Sequence, residues 1–451
     1  MESQLRNVFE TGVTRPVAHR EDALGRLKKN IKLLEPKIIA ALKKDLGKSE
    51  WETRSTETGF VIAEINHTLE YLSEWTRVQE FPAPLASQPA STRVIPTPKG
   101  AVLIIAPWNY PFQLAIAPLV AAIAAGNTVA VKPSELTPTV SAVIHELIRT
   151  TFTDGTVECV EGGVDAAEAL LKESFAHFFF TGSTRVGKIV AHAAAEQLAS
   201  STLELGGKSP CVIDGSANLK HTARRIAWGK ALNAGQTCVA PDYLLVHEGI
   251  HDRLIDAIKQ EWTNFYGTDP SQSPDYGRIV SVQHFDRLTG YLKSDQGKIH
   301  GGRHDRATRY IEPTLVTDID VRHPLMQDEI FGPILPVLKW ETETDLDNIL
   351  RQHPDPLAFY VFTTKSSFAD SLMEKYAFGG GCVNHIAHHL GCPDLPFGGI
   401  RASGVGAYHG KYGFEAFTHY KAILDASPRF DFGLKYPPYK NRASWLKWLH
   451  R

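Results

Sequence analysis

Cysteine is scarce: five residues in 451, at positions 159, 211, 238, 382 and 392. None forms a Cys-x-x-Cys pair or the spacing of a zinc site, so neither a disulfide scaffold nor a structural metal organises the chain. Free thiols in a reducing compartment are expected. An excess of charge is lacking too, with 48 Lys and Arg against 50 Asp and Glu. That balance gives no broad attraction to nucleic acid, and no basic run is interleaved with a nucleic-acid module. The longest apolar run, Leu114 to Ala125, has 12 residues and contains Pro118; it is too short to span a bilayer. The start, Met1-Glu2-Ser3-Gln4, is polar and followed by charges, unlike a signal peptide. Internal repeats and low-complexity segments are absent. The expectation is a soluble, cytoplasmic protein.

What is present is ordinary globular composition, 43% hydrophobic and 22% charged, in a chain long enough for roughly three structural units. Leu24, Leu27, Ile31, Leu34, Ile38 and Leu42 recur in steps of three and four. This predicts an amphipathic helix with Lys28, Lys29 and Lys32 on its solvated side. A second such stretch covers 61–75. Residues 81–97, rich in Pro, Ser and Thr, read as an extended excursion. After Gly100, short β-rich runs (101–106, 128–131, 157–160, 178–180) alternate with helical ones (114–125, 139–152, 166–172, 186–198). That alternation predicts a parallel sheet covered on both faces. From about residue 206 a second α/β unit follows, with longer helices at 219–233 and 251–265. Residues 428–451 read as a tail.

Several short segments could carry chemistry. Phe180-Thr181-Gly182-Ser183-Thr184-Arg185-Val186-Gly187 ends a strand and opens a helix, whose free N–H groups suit a pyrophosphate. It is not G-x-G-x-x-G and lacks the P-loop Lys, so alone it also fits an ordinary strand–helix turn. Lys132-Pro133-Ser134-Glu135 lies just beyond a strand, where a Lys and a carboxylate can hold ribose hydroxyls; alone it also fits a surface turn. Cys238, in Asn233-Ala234-Gly235-Gln236-Thr237-Cys238, follows a helix through polar residues and is the candidate nucleophile. Glu204, before Leu205-Gly206-Gly207-Lys208, and Glu329, in Glu329-Ile330-Phe331-Gly332-Pro333, are candidate bases or surface carboxylates. Asn109, stiffened between Pro107 and Pro111, could stabilise developing negative charge or cap a turn.

Taken together and in this order, with Pro396-Phe397-Gly398-Gly399 as the last motif, these segments resemble the aldehyde dehydrogenase superfamily. The class 3 branch fits best. It is suggested by Asn-Ala-Gly-Gln-Thr-Cys-Val-Ala-Pro-Asp-Tyr at 233–243, Tyr-His-Gly-Lys at 408–411 and Lys-Tyr-Pro-Pro-Tyr at 435–439. The resemblance covers residues 5–440. Two features depart from the pattern: Arg401, where class 3 proteins usually carry Gly, and the stretch 383–393 with His385, His388 and His389. Solvated loop histidines are the reading there, and no metal is expected.

The resemblance implies an α/β fold: a Rossmann-like parallel-sheet cofactor domain (1–80 and 99–205), an α/β catalytic domain (206–412) and a small β oligomerisation element (81–98 and 413–427), followed by the tail. It implies NAD(P)-dependent oxidation of an aldehyde to the acid through a cysteine thiohemiacetal and thioester, usually in a homodimer. Cys238 would be the nucleophile, Glu204 the base and Asn109 the oxyanion donor. Lys132, Glu135, Thr181, Gly182, Ser183, Gly187, Leu205, Gly206, Glu329 and Phe331 would hold the cofactor, NAD first and NADP accepted. Tyr110, Trp228 and Phe397 suggest an apolar funnel for a medium- or long-chain aliphatic, aromatic or terpenoid aldehyde. Rival readings are a CoA- or phosphate-dependent acylating dehydrogenase, which would not need Glu204, and a non-catalytic binding role. In the tail, Trp445, Leu446, Trp448 and Leu449 recur at helical spacing among basic residues. They suggest either packing on the protein's own surface or weak peripheral membrane contact.

Overall fold

The helical stripe from Leu24 to Leu42 belongs to a longer helix, Val17–Leu46, whose buried face includes Leu24, Leu27, Ile31, Ile38 and Leu42. The helix stops at Gly47, which takes φ 68° as a left-handed cap. The computed structural model describes residues 1–293, 296–431, 433 and 436–440. A second helix, Gly59–Trp75, lays Val61, Ile65 and Leu72 on the same core.

The alternating segments form two mostly parallel sheets. The first has six strands in the order Gly404–Val405, Ser200–Glu204, His177–Thr181, Ala101–Ile105, Thr128–Lys132 and Val157–Cys159. All neighbours run parallel except Gly404–Val405, which is antiparallel to Ser200–Glu204. Its central strands are buried at every position, as continuous apolar strands covered on both faces must be. The Gln113–Ala125 helix is likewise buried throughout. It is apolar all round because the first sheet covers one side and the Gly59–Trp75 and Gly410–Ala416 helices cover others.

The second sheet has seven strands in the order Lys298–His300, Thr314–Thr317, Ile334–Trp340, Tyr243–His247, Pro210–Ile213, Ala358–Phe362 and Gly380–Val383. A separate three-stranded sheet pairs Gln79–Phe81 with Ala90–Pro98, and Ala90–Pro98 with Thr418–Ala426 in antiparallel register from Ala90↔Ala426 to Pro98↔Thr418. The architecture is α/β.

Two details differ from the sequence reading. Residues 404–416, assigned there partly to the second unit and partly to the β element, return to the first sheet and its helices. The reason is local: Gly404 and Val405 pair with Glu204 and Leu203 at the sheet edge. The excursion also begins earlier, with the strand Gln79–Phe81. The tail residues Trp445, Leu446, Trp448 and Leu449 lie outside the described residues. Among the described residues no helix is long and apolar enough to cross a membrane.

Candidate active site

Parallel strands present their carboxyl ends to one edge. In the first sheet that edge gathers the Pro107–Asn109 turn, the Lys132–Glu135 turn, Thr181–Ser183 and Glu204–Gly206. Ligands of open α/β sheets bind there. A cavity of about 640 Å³ opens on this edge. Asn109 and Cys238 line it, with Thr181, Gly182 and Ser183. Leu205, Gly206, Glu329 and Phe331 complete the predicted part of the wall. His284, Arg287, Gln327, Gln352 and His353 also line it. No sequence motif marks His284, Arg287, Gln352 and His353, whereas Gln327 lies two residues before Glu329 and its motif.

The loop carrying Cys238 is held by its own unusual backbone. Asn233, Ala234 and Gly235 take left-handed φ values of 49°, 52° and 73°. A Cβ on Gly235 would lie 2.2 Å from the Gly332 carbonyl oxygen, so only Gly fits. Gln236 locks the loop from both ends of its amide. Its Nε2 donates to the Asn233 and Arg278 carbonyls, each at 3.0 Å, and its Oε1 accepts from Val280 N–H at 2.9 Å. Cys238 itself is half-buried and free. Burial, then the Glu329 and Glu204 carboxylates, push its thiol up to about 12.

Glu204 ends its strand 1% exposed. Among the described residues neither carboxylate oxygen has a hydrogen-bond partner, and burial holds the carboxyl well above the usual carboxylate range. A buried carboxyl left without partners is costly to keep. Such a perturbed group beside a cavity marks a functional-site candidate. Its carboxyl does not line the cavity wall; its charge is felt by Cys238 and Tyr408. Glu329 is pushed up to about 8 by burial and by Asp242, against the Gly207 N–H, Lys208 and Lys230. Its carboxylate lies so close over Gly206 that a Cβ there would sit 2.0 Å from Oε2. Phe331 takes φ 52° and meets Trp108 edge-on at 5.2 Å. Backbone strain of this kind clusters at functional sites.

The cavity fits a nucleotide cofactor by its own construction. Its volume lies in the range of ligand sites. Thr181 Oγ1 lies on a lining residue, buried and without a partner among the described residues. The helix Thr184–Glu196 begins at the wall, with Ser183 as its cap; its first N–H groups have no partner within the helix and suit a phosphate.

Other predicted residues lie elsewhere. Lys132 is 3% exposed and pairs with Glu135 at 2.8 Å. Both sit at the carboxyl edge but outside the cavity wall. Burial alone would raise the Glu135 carboxyl, yet the Lys132 hydrogen bond, a backbone N–H and the Lys132 charge hold it below the usual range. Gly187 faces protein rather than the cavity: a Cβ there would meet Leu205 Cδ2 at 2.5 Å, so this Gly serves close packing.

The three funnel residues do not line this cavity either. Tyr110 is buried, its hydroxyl 2.7 Å from Thr237 Oγ1. Phe397 stacks on His409 at 5.2 Å and pairs with Tyr408 through the backbone. Trp228, half-buried, meets the rings of His385 and His388 at 6.4 and 5.9 Å. His389 instead sits 3.4 Å from Cys382 Sγ. Among the described residues no group of three or more His, Cys, Asp or Glu could hold a metal ion. Arg401 pairs with Asp355 at 3.2 Å.

A sequence model of the Aldehyde dehydrogenase family matches residues 6–423. Over 440 residues the chain is 46% identical to the 4,4'-diaponeurosporen-aldehyde dehydrogenase of Staphylococcus aureus, covering 97% of this chain and 96% of that protein. It is 41% identical over 438 residues to the dimeric NADP-preferring aldehyde dehydrogenase of Mus musculus, covering 97% and 96%. Among solved structures, the substrate-bound state of Staphylococcus aureus AldH matches with a TM-score of 0.97 at 44% identity, covering 100% of this chain and 98% of that one.

Proposed function

The chain belongs to the aldehyde dehydrogenase family, and from that premise we propose that it oxidises an apolar aldehyde to the carboxylic acid with NAD(P)⁺ as hydride acceptor. The observation that carries this reading is the shared cavity: Cys238, Asn109 and Glu329 open on the same space as the start of the Thr184–Glu196 helix. For the substrate, a medium- or long-chain aliphatic, aromatic or terpenoid aldehyde is favoured. The diaponeurosporen-aldehyde dehydrogenase that is 46% identical supports an apolar choice.

In this mechanism the Cys238 thiol passes its proton to water as its sulfur bonds to the aldehyde carbon. The resulting oxyanion is held by the Asn109 side-chain amide and a backbone N–H near Cys238. One such donor is worth about 3–4 kcal/mol. NAD(P)⁺, when bound, supplies the acceptor for the hydride leaving that carbon. Its loss leaves an acyl thioester on Cys238. Glu204 takes a proton from water, the hydroxide adds to the thioester carbon, and the sulfur departs with the acid as product. Glu329 and Phe331 would position the nicotinamide end of the cofactor; Thr181, Gly182, Ser183, Leu205 and Gly206 would take its phosphate side.

Residues 1–78, 99–205 and 404–416 would form the cofactor-binding unit and 206–403 the catalytic one, with 79–98 and 417–427 joining two copies in a homodimer. Among the described residues Thr418–Ala426 is paired on one edge only, and the mouse relative is named dimeric. The five free cysteines suit a reducing cytoplasm.

An aldehyde panel followed by NAD(P)H absorbance, with both cofactors, tests the activity. Acid should form without CoA or phosphate. A strict requirement for either would hand the site to the acylating reading.

Cofactor choice gives a second expected result. Lys132 and Glu135 would face the adenosine ribose, where the carboxylate disfavours a 2′-phosphate. Glu135→Gln should raise the NADP⁺/NAD⁺ ratio of kcat/KM about tenfold, or about 1.4 kcal/mol. A ratio moving less than twofold would remove Glu135 from that role.

A further inference from the structure

Beneath the two catalytic loops lies a polar cluster that the mechanism above does not use. Lys48 and Glu57 are both 0% exposed and pair at 2.5 Å. Lys48 Nζ also donates to the Asn109 backbone carbonyl at 3.0 Å. The same carbonyl accepts from Asn233 Nδ2 at 2.7 Å. A carbonyl oxygen offers two lone pairs, and here both are engaged.

One oxygen atom thus joins the turn bearing Asn109 to the loop bearing Cys238. The rest of the cluster fixes the ends of this joint. Glu57 Oε2 accepts from Phe112 and Gln113 N–H at 3.1 and 2.8 Å, the start of the buried Gln113–Ala125 helix. Glu52 accepts from Asn233 N–H at 2.8 Å. Lys48 Nζ lies 3.8 Å from the centre of the Tyr110 ring, whose hydroxyl reaches Thr237, the residue before Cys238.

We propose that Lys48 is a positioning residue: by bonding Glu57 and the Asn109 carbonyl together, it sets the Asn109 amide at the oxyanion distance from the Cys238 sulfur. Stability alone does not account for it. An ion pair taken wholly out of water contributes little over an apolar pair of similar volume. What an apolar pair would not supply is the bond to the Asn109 carbonyl. A misplacement of about 1 Å at reacting groups can cost about 100-fold in rate.

The inference rests on the oxidation reading above. The test uses the full chain and four proteins: wild type, Lys48→Met/Glu57→Gln, Asn109→Ala, and all three substitutions together. Changing Lys48 and Glu57 together avoids leaving a buried carboxylate unpaired. Folding is checked by circular dichroism and cofactor binding by fluorescence. The paired substitution should lower kcat about 10- to 100-fold while KM for the aldehyde stays within about threefold. Asn109→Ala should lower kcat about 100- to 1000-fold. In the Asn109→Ala background, the paired substitution should cost no more than about threefold further, because its effect runs through Asn109.

Multiplying losses, or a paired variant within threefold of wild type, would overturn the proposal. Should the paired variant not fold, Asn233→Gly replaces it in the same cycle. It removes the other bond to the Asn109 carbonyl, accepts the left-handed φ, and should give the same kcat and KM pattern. A wild-type protein inactive on every aldehyde would instead defeat the oxidation reading, whereas an active wild type with unaffected variants defeats only this one.

Discussion

Replacing Cys238 by Ala should abolish aldehyde oxidation and leave cofactor binding intact. In the proposed mechanism the sulfur is the atom that bonds to the aldehyde carbon, and Ala offers no substitute. Removing a nucleophile from an enzyme of this type costs at least about four orders of magnitude in kcat. The loop should survive the change. Its shape is held by the Gln236 amide, the left-handed run at Asn233, Ala234 and Gly235, and the close approach of Gly235 to Gly332. None of these involves Cys238 Sγ. Titration of protein fluorescence with NAD⁺ should therefore give a Kd within about twofold of wild type, since the proposed cofactor contacts are those of Thr181, Gly182, Ser183, Glu329 and Phe331. As controls, Cys159→Ser, Cys382→Ser and Cys392→Ser should turn over within a few-fold of wild type. None of the three lines the cavity on which Cys238 opens, so none is placed to reach an aldehyde there. More than a tenth of the wild-type rate in Cys238→Ala would remove the covalent mechanism.

The parts of the molecule legible in the sequence are those with local signals. Val17–Leu46 shows a 3.6-residue stripe because one face alone is buried. Ala101–Ile105 and Thr128–Lys132 read as strands because both faces of the sheet are covered. The segments around Asn109, Thr181, Glu204, Cys238 and Glu329 each sit at a strand or helix end, so their special turns were visible as short runs of Gly, Pro and polar residues. What was not legible depends on contacts between distant segments. Lys48 reads as one more Lys at a helix end, and only the fold brings Glu57 and Asn109 to it. Tyr110 and Phe397 read as funnel walls because they are aromatic and adjacent to motifs. In the structure, Tyr110 bonds Thr237 and Phe397 stacks on His409. Gly187 looked like a phosphate cradle by its spacing, whereas its missing Cβ makes room for Leu205. His284, Arg287, Gln352 and His353 reach the cavity from the second unit, and nothing in their own neighbourhoods marks them.

Glu204→Gln should form one equivalent of NAD(P)H per active site in a rapid burst and then stall. Oxidation of the first aldehyde asks nothing of a base acting on water; hydrolysis of the thioester does. Gln has the shape of Glu and cannot take a proton from water, so the two halves of the reaction are separated by one atom. The site should tolerate the exchange. Both Glu204 oxygens lack hydrogen-bond partners among the described residues, and burial already raises the carboxyl toward its neutral form. A neutral amide of the same volume therefore breaks no bond and relieves the cost of burying a charge. Loss of general-base catalysis is worth about 100- to 10,000-fold, and steady-state turnover should fall by that much while the burst amplitude stays near one. Mass spectrometry of protein quenched after the burst should show Cys238 carrying the acyl group. Normal turnover, or a burst without a trapped acyl group, would place the base elsewhere. Glu329 is then the first alternative: its carboxyl lines the same cavity as Cys238 and is pushed up to about 8, so near neutral pH it can exchange a proton with water.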